Sequence, residues 1–274
     1  MNASTLTARS PSADAADSST QSAHQSDLLL PDLPPQTPRL DDSHPRQHLL
    51  SSSLPPIRTF RPGEPPFPPA AAQWREWYDG DGLFDDTIPI AYLGEPAPLL
   101  RPSLGLVCSG HCPGTILLET YRFARNLSPD GPTIIGGFHS PMERNCLDTL
   151  LVHHVPVVYC PGRRLKTRSV SLGWRSAIAD RRLLLLSPFC EKQKRVDRNL
   201  ARLRNVFVGA LADTLFVPYA RPDGAVASLV RMALERGKPV ITLDDPENAE
   251  IARLGAEAVG VGDLLMRYKK KPEF

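Results

Sequence analysis

The rhythm of apolar positions changes at Ser103. From there, seven short runs are apolar at nearly every position: LGLVCSG (104–110), PTIIGG (132–137), VPVVYC (155–160), RLLLLSP (182–188), TLFVPYA (214–220), KPVITLD (238–244) and AEAVGV (256–261). Continuous apolar runs of this length predict strands buried on both sides. The stretches between most of them predict amphipathic helices over 114–127, 141–152, 192–211, 225–236 and 247–254. In TILLETYRFARNL, for example, Ile116, Leu117, Tyr121, Ala124 and Leu127 recur with a helical period. Strands alternating with helices predict a parallel sheet covered on both faces, with right-handed crossovers. The expected fold class is therefore α/β: a doubly wound, mostly parallel, Rossmann-like sheet over residues 103–262, following a disordered N-terminal tail.

That tail is read over residues 1–72, which hold 13 of the 29 prolines and lack apolar periodicity. Such a composition buries too little apolar surface to offset its ordering entropy. Residues 73–102 read as an extended lead-in with a short helix at AAQWREWYDG, where Trp74 and Trp77 share a face. IPIAYLGEPAPLL, with three prolines, predicts at most an edge strand. Residues 263–274 read as a basic C-terminal tail.

The net charge of +2 says little, but its distribution is uneven. Residues 163–204 hold 13 Lys/Arg against 3 Asp/Glu, so the remainder of the chain is net acidic. A basic belt of this kind points to an anionic partner. The five cysteines are odd in number and sit in or beside apolar runs, which fits reduced thiols. Cys108 and Cys112 flank His111 without a second ligand pair, so no metal is expected. No apolar run reaches the ~20 residues needed to span a bilayer, and the N-terminus has no hydrophobic signal segment. The expected location is cytoplasmic, with no membrane partner.

Ligands of open parallel sheets bind outside the carboxyl ends of the strands. The segments expected there are CSGHCPGT, with Ser109, Gly110 and His111; GGFHSPME, with Gly136, Gly137, His139 and Ser140; PGRRLKTR, with Arg163, Arg164 and Lys166; SPFCEKQKR, with Lys192, Lys194 and Arg195; and ARPDGA, with Arg221, Asp223 and Gly224. Glycine turns, hydroxyls, helix N-termini and cations together suit an anion or nucleotide. The chain has neither a strict G-x-G-x-x-G nor a P-loop. His139 and Glu143 are one helical turn apart, yet Ser140-Pro141-x-Glu143 reads more simply as a capping box with proline at its first helical position. No catalytic residue and no cofactor are assigned. In KRVDRNLARLRNVFVGALAD, Arg195, Arg198 and Arg202 belong to a basic first half, and Arg204-Asn205 marks the change to an apolar second half.

LGLVCSG, PTIIGGFHSPMERNCLDTLL, RLRNVFVGALADTLFVPYA and GAVASLVRMALERGKPVITLD, in this order, resemble the Rossmann domain of the DNA-processing protein A (DprA/Smf) family of the SLOG superfamily. The resemblance covers about residues 90–262. The family's Gly-Ser-Arg turn after the first core strand is represented by Cys108, Ser109 and Gly110. Gly136 and Gly137 hold the second turn, with FHSPMER where the family has an Arg-Gly-Ile-Asp stretch. Arg204 and Asn205 match its Arg-Asn pair, and Gly224 alone matches its Gly-Ser-Leu-x-Thr.

The resemblance implies a DNA-processing role in DNA uptake and recombination, with single-stranded DNA or a nucleotide as ligand and a recombinase as partner. It leaves a homodimer open. Together with the strand-end chemistry, it gives a candidate phosphate-binding set of Ser109, Gly110, Gly136, Gly137, His139, Ser140, Arg204, Asn205 and Gly224. The nucleic-acid belt is Arg163, Arg164, Lys166, Lys192, Lys194, Arg195, Arg198 and Arg202. Two alternatives stand beside this binding role. One is a small-nucleotide sensor of the same superfamily. The other is a nucleoside monophosphate phosphoribohydrolase of the LOG type, with Glu143 or Glu119 as an unusual acid. In that enzyme's signature Val230 takes the place of the catalytic Glu, and Ala227 that of the Thr.

Overall fold

The computed structural model describes residues 54–61, 64–65, 67–68, 74–77, 89–189 and 195–268. Its described strands form one nine-stranded sheet in the order β1-β2-β6-β5-β4-β3-β7-β8-β9. Seven of them are mutually parallel: β3 (Ser103–Leu106), β4 (Thr133–Gly136), β5 (Val157–Tyr159), β6 (Leu183–Ser187), β7 (Thr214–Val217), β8 (Val240–Leu243) and β9 (Glu257–Val259). The seven apolar runs thus become the parallel strands, each shortened at its ends. β1 (Arg58–Phe60) and β2 (Ile90–Leu93) add on antiparallel beside β6.

Alternation within each strand divides the core in two. Leu184, Leu186, Ile135 and Val217 face one side, where α4 (Arg198–Leu211) and α5 (Ala225–Glu235) pack; α6 (Ala249–Arg253) joins them through Ile251. Leu183, Leu185, Ile134 and Phe216 face the other side. That side is covered by α1 (Gly114–Asn126), α2 (Pro141–Val152), α3 (Leu172–Ala179) and α7 (Val261–Tyr268). Both faces of the parallel sheet are therefore buried, as uninterrupted apolar strands require.

Four features depart from the sequence reading. First, β1 lies inside the 1–72 segment read as a disordered tail, and Phe67 from the same segment is buried against Phe207, ring centroids 6.3 Å apart. Trp74 meets the same Phe207 ring edge-on at 5.0 Å, so this proline-rich lead-in contributes aromatic anchors to the core. Residues 1–53, and the rest of the tail that is not described, lie outside the described residues. Second, β2 is an inner strand, between β1 and β6. Third, α3 was not anticipated; it is capped by Ser171, whose hydroxyl accepts the Trp174 N–H. Fourth, the segment read as a C-terminal tail begins with most of α7, whose Leu264 and Leu265 are buried; residues 269–274 lie outside the described residues. The helix expected from 192 is described from Arg198, capped by the Asp197 carboxylate accepting from Leu200 N.

Candidate functional site

From β3 the chain builds outward through β4, β5 and β6, then returns to place β7 on the other side of β3. The connections leaving β3 and β7 diverge, and the carboxyl ends of these two strands bound a crevice. Two hydrogen bonds hold its floor. Ser109 N donates to Tyr219 O at 3.0 Å, and Arg221 N donates to Ser109 Oγ at 3.0 Å. The result is an open cleft of about 490 Å³.

The cleft brings together most of the expected phosphate-binding set: Ser109 and Gly110 after β3, His139 and Ser140 after β4, Arg204 and Asn205 on α4, and Gly224 at the start of α5. Gly224 is the N-cap of α5 and offers no side chain, so the first-turn N–H groups of that helix face the cleft without a side-chain cap. Gly136 and Gly137 are buried behind the cleft and do not line it. A Cβ on Gly136 would press on the Phe138 ring, and one on Gly137 would overlap the Arg204 guanidinium. Their part is to leave room for those side chains. Arg221, Ala201 and Val226 also line the cleft. Arg221 was detectable as the first cation after β7; Ala201 and Val226 carry no chemical signal in sequence.

Glu143 joins the two glycine turns. It is buried, and its Oε1 accepts from Cys108 N at 3.0 Å. Its Oε2 accepts from His139 N at 2.7 Å and Ser140 N at 3.1 Å, while Ser140 Oγ accepts from Glu143 N at 3.2 Å. The capping box is therefore present, and its carboxylate also clamps the exit of β3. Both carboxylate oxygens are committed to backbone donors.

Of the two arginines that line the cleft, Arg204 is the buried one. It is 5% exposed, and its Nε donates to the neutral Asn205 Oδ1 at 2.7 Å. Among the described residues no carboxylate pairs with it. A buried cation with only a neutral protein partner at a cleft wall suits an anion supplied from outside.

The sequence profile for DNA recombination-mediator protein A matches residues 81–259. The chain belongs to this family. Two solved structures share its fold. DNA processing protein A from Streptococcus pneumoniae is 14% identical with a TM-score of 0.61, the alignment covering 82% of this chain and 79% of that one. DNA processing protein A from Helicobacter pylori, described for its single-stranded DNA binding mode, is 18% identical with a TM-score of 0.57, covering 78% and 97%. No curated protein matches the chain in sequence.

In this family member none of the described residues of the expected nucleic-acid belt lines the cleft. Arg163, Arg164 and Lys166 follow β5 and are half-buried; Ser187 Oγ donates to Arg163 O at 2.9 Å. Arg195, Arg198 and Arg202 are exposed on and before α4, which also supplies Arg204. Lys192 and Lys194 lie outside the described residues. An aromatic group lies close to arginines of both sets. Phe138 stacks on Tyr159 at 6.1 Å, and Tyr159 meets Trp174 edge-on at 5.0 Å. Burial raises the Tyr159 phenol above its ordinary pKa, and Arg163, Arg204 and Arg144 pull it back.

His139 stands on the cleft rim. Partial shielding from water, then the charges of Arg204 and Arg144, hold its imidazole below the ordinary value, while Glu143 acts weakly the other way. Among the described residues no cluster of His, Cys, Asp and Glu is placed to hold a metal, and no helix is long and apolar enough to cross a membrane.

Proposed function

We propose that the chain binds single-stranded DNA through its phosphates and acts as a binding protein, without turnover, in DNA processing. The strand's phosphates follow the belt at Arg163, Arg164, Arg198 and Arg202 into the cleft, where one of them pairs with Arg204. The carrying observation is Arg204 itself: a buried guanidinium with a neutral partner, at the topological switch point, beside an uncapped helix N-terminus. The family assignment and the Helicobacter pylori relative's single-stranded DNA binding support the same reading. A recombinase that receives the bound strand fits the family's description as a recombination mediator.

Two observations weigh against a phosphoribohydrolase. Val230 and Ala227 are buried core residues where that enzyme needs its Glu and Thr. Glu143 is held as a structural latch by three backbone donors. A small-nucleotide sensor remains the second reading, because about 490 Å³ accommodates one nucleotide. A thermal shift with mononucleotides and none with oligonucleotides would favour it.

The direct test is oligonucleotide affinity across a salt series. Single-strand binding loses affinity with salt in proportion to the phosphates neutralised, and the double variant Arg163→Ala/Arg164→Ala reduces the log–log slope by about 1.4. Salt-independent affinity would reject phosphate-led binding.

A further inference from the structure

A pocket lies at the opposite edge of the sheet from the cleft, and we propose that it binds a carboxylate carried on an aliphatic stem. It forms where the antiparallel strand β2 ends beside the start of β6, and it holds about 270 Å³. Gly94, at φ 112°, permits the close approach there: a Cβ on it would lie 2.8 Å from Leu183 O. Arg175 on α3 and Arg181 just after that helix line the pocket. None of its lining residues is shared with the cleft.

Both guanidinium groups are available. Arg175 is half-buried, and its Nε is shielded from water with no hydrogen-bond acceptor among the described residues. Neither Arg175 nor Arg181 pairs with a carboxylate among the described residues. The carboxylate that does line the pocket, Glu95, is already engaged: Arg58 Nη2 donates to its Oε1 at 3.1 Å. The C-terminus of α3 favours cations nearby, but it leaves the shielded Arg175 N–H unsatisfied, and such a donor calls for an acceptor.

Arg181 adds a backbone argument. The N–H groups of Arg181 and Arg182 donate to Ile178 O and Ala177 O, which ends α3 in a Schellman motif. Arg181 holds the left-handed position of that motif, at φ 59°, where glycine is the unstrained choice. A long cation at this position strains the main chain, which points to a use for its side chain.

The rest of the wall selects the anion. Leu54, Pro55 and Ile178 are aliphatic, and no aromatic ring lines the pocket. Nucleic-acid bases find nothing there to stack on. Phosphate, polar on every side, gains nothing from an aliphatic wall. A carboxylate matches the planar guanidinium fork, and its methylene stem buries against these side chains. This is the chemistry of a glutamate side chain on a protein partner, or of a free short-chain acid.

The test follows the arginine Nε–H signals of the ¹⁵N-labelled full chain by NMR, with the Arg175 signal identified by its loss in Arg175→Lys. Acetate, propionate and butyrate are titrated at constant ionic strength. The Arg175 signal should move saturably, with affinity rising about fourfold for each methylene that meets the wall. Arg181→Gly should weaken propionate binding about tenfold. Its thermal midpoint should equal or exceed that of the wild type, because glycine relieves the left-handed backbone. An unmoved Arg175 signal overturns the site. Equal affinity for the three acids, or inorganic phosphate binding as tightly as butyrate, overturns the aliphatic carboxylate. A blocked glutamyl peptide that binds at least as tightly as propionate upholds the site and makes its ligand a protein side chain; binding of the free acids alone upholds it for a small acid. None of these readouts involves DNA, so a failure here is distinct from a failure of the DNA-binding reading.

Discussion

Arg204 occupies the space that a side chain on Gly137 would need: a Cβ built there overlaps the guanidinium. The glycine turn after β4 and the basic half of α4, distant in sequence, therefore form one device. The backbone of Gly137 is not in a left-handed conformation, so alanine is tolerated by the main chain. Gly137→Ala should displace Arg204 and weaken oligonucleotide binding by about as much as Arg204→Ala, tenfold or more for a lost charge-assisted contact. Its thermal midpoint should change little. Paired affinity and melting measurements check this, and a large loss of stability with unchanged affinity would contradict it.

The Glu143 latch predicts a stability effect. Glu143→Gln keeps the shape but replaces one acceptor oxygen with an NH₂ group, which then faces a backbone N–H. One buried donor is left unsatisfied, at a cost of about 1–3 kcal/mol. Chemical denaturation of the wild type and the variant should show that difference in midpoint. Were Glu143 instead a catalytic acid, the variant would retain its stability and lose release of free base from a nucleoside monophosphate.

The same residue shows how far sequence reading reached. Ser140-Pro141-x-Glu143 was legible as a cap because a capping box is local, and α2 spans the residues its periodicity predicted. The seven parallel strands were legible because burial on both faces leaves a continuous apolar signature. β1 was not, since Arg58-Thr59-Phe60 becomes a strand only by pairing with β2. α3 was hidden because only Ala177 and Ile178 are fully buried in it, too few for a clear period. At the site, Gly110 and Gly224 line the cleft as their strand-end positions suggested, whereas long-range packing sets Gly136 and Gly137 behind it. Arg204 was visible at the change from polar to apolar along α4, but its burial against Gly137 was not.

His139 predicts a pH dependence. Its imidazole is held low by shielding and by Arg204 and Arg144, so the free protein resists protonating it. A group of this kind costs stability as pH falls from the ordinary histidine value, about 6.5, through the lowered value in the fold. A phosphate bound beside Arg204 reverses the sign: it neutralises the repulsion and raises the imidazole, so binding takes up a proton. Oligonucleotide affinity should therefore rise as pH falls below about 6.5, and His139→Ala should flatten that rise. An unchanged profile in the variant would place the titrating group elsewhere.

Trp174 offers a way to see bases as well as phosphates. The chain has three tryptophans; Trp74 and Trp77 are buried, whereas Trp174 is half-buried at the start of α3. It meets Tyr159 edge-on, at the end of β5, and the charges of Arg163, Arg204 and Arg144 all reach that phenol. A strand whose phosphates run from Arg163 to Arg204 passes this pair, and unpaired bases can stack there while bases in a duplex cannot. Base–aromatic stacking contributes about 1–3 kcal/mol per base. Adding a thymidine oligonucleotide should quench the tryptophan emission, and an abasic strand of equal charge should bind more weakly without quenching. Trp174→Ala should remove the quenching and bring the two affinities together, leaving the salt slope unchanged. Equal affinity of wild type for both strands would mean that the belt and the cleft read phosphate alone.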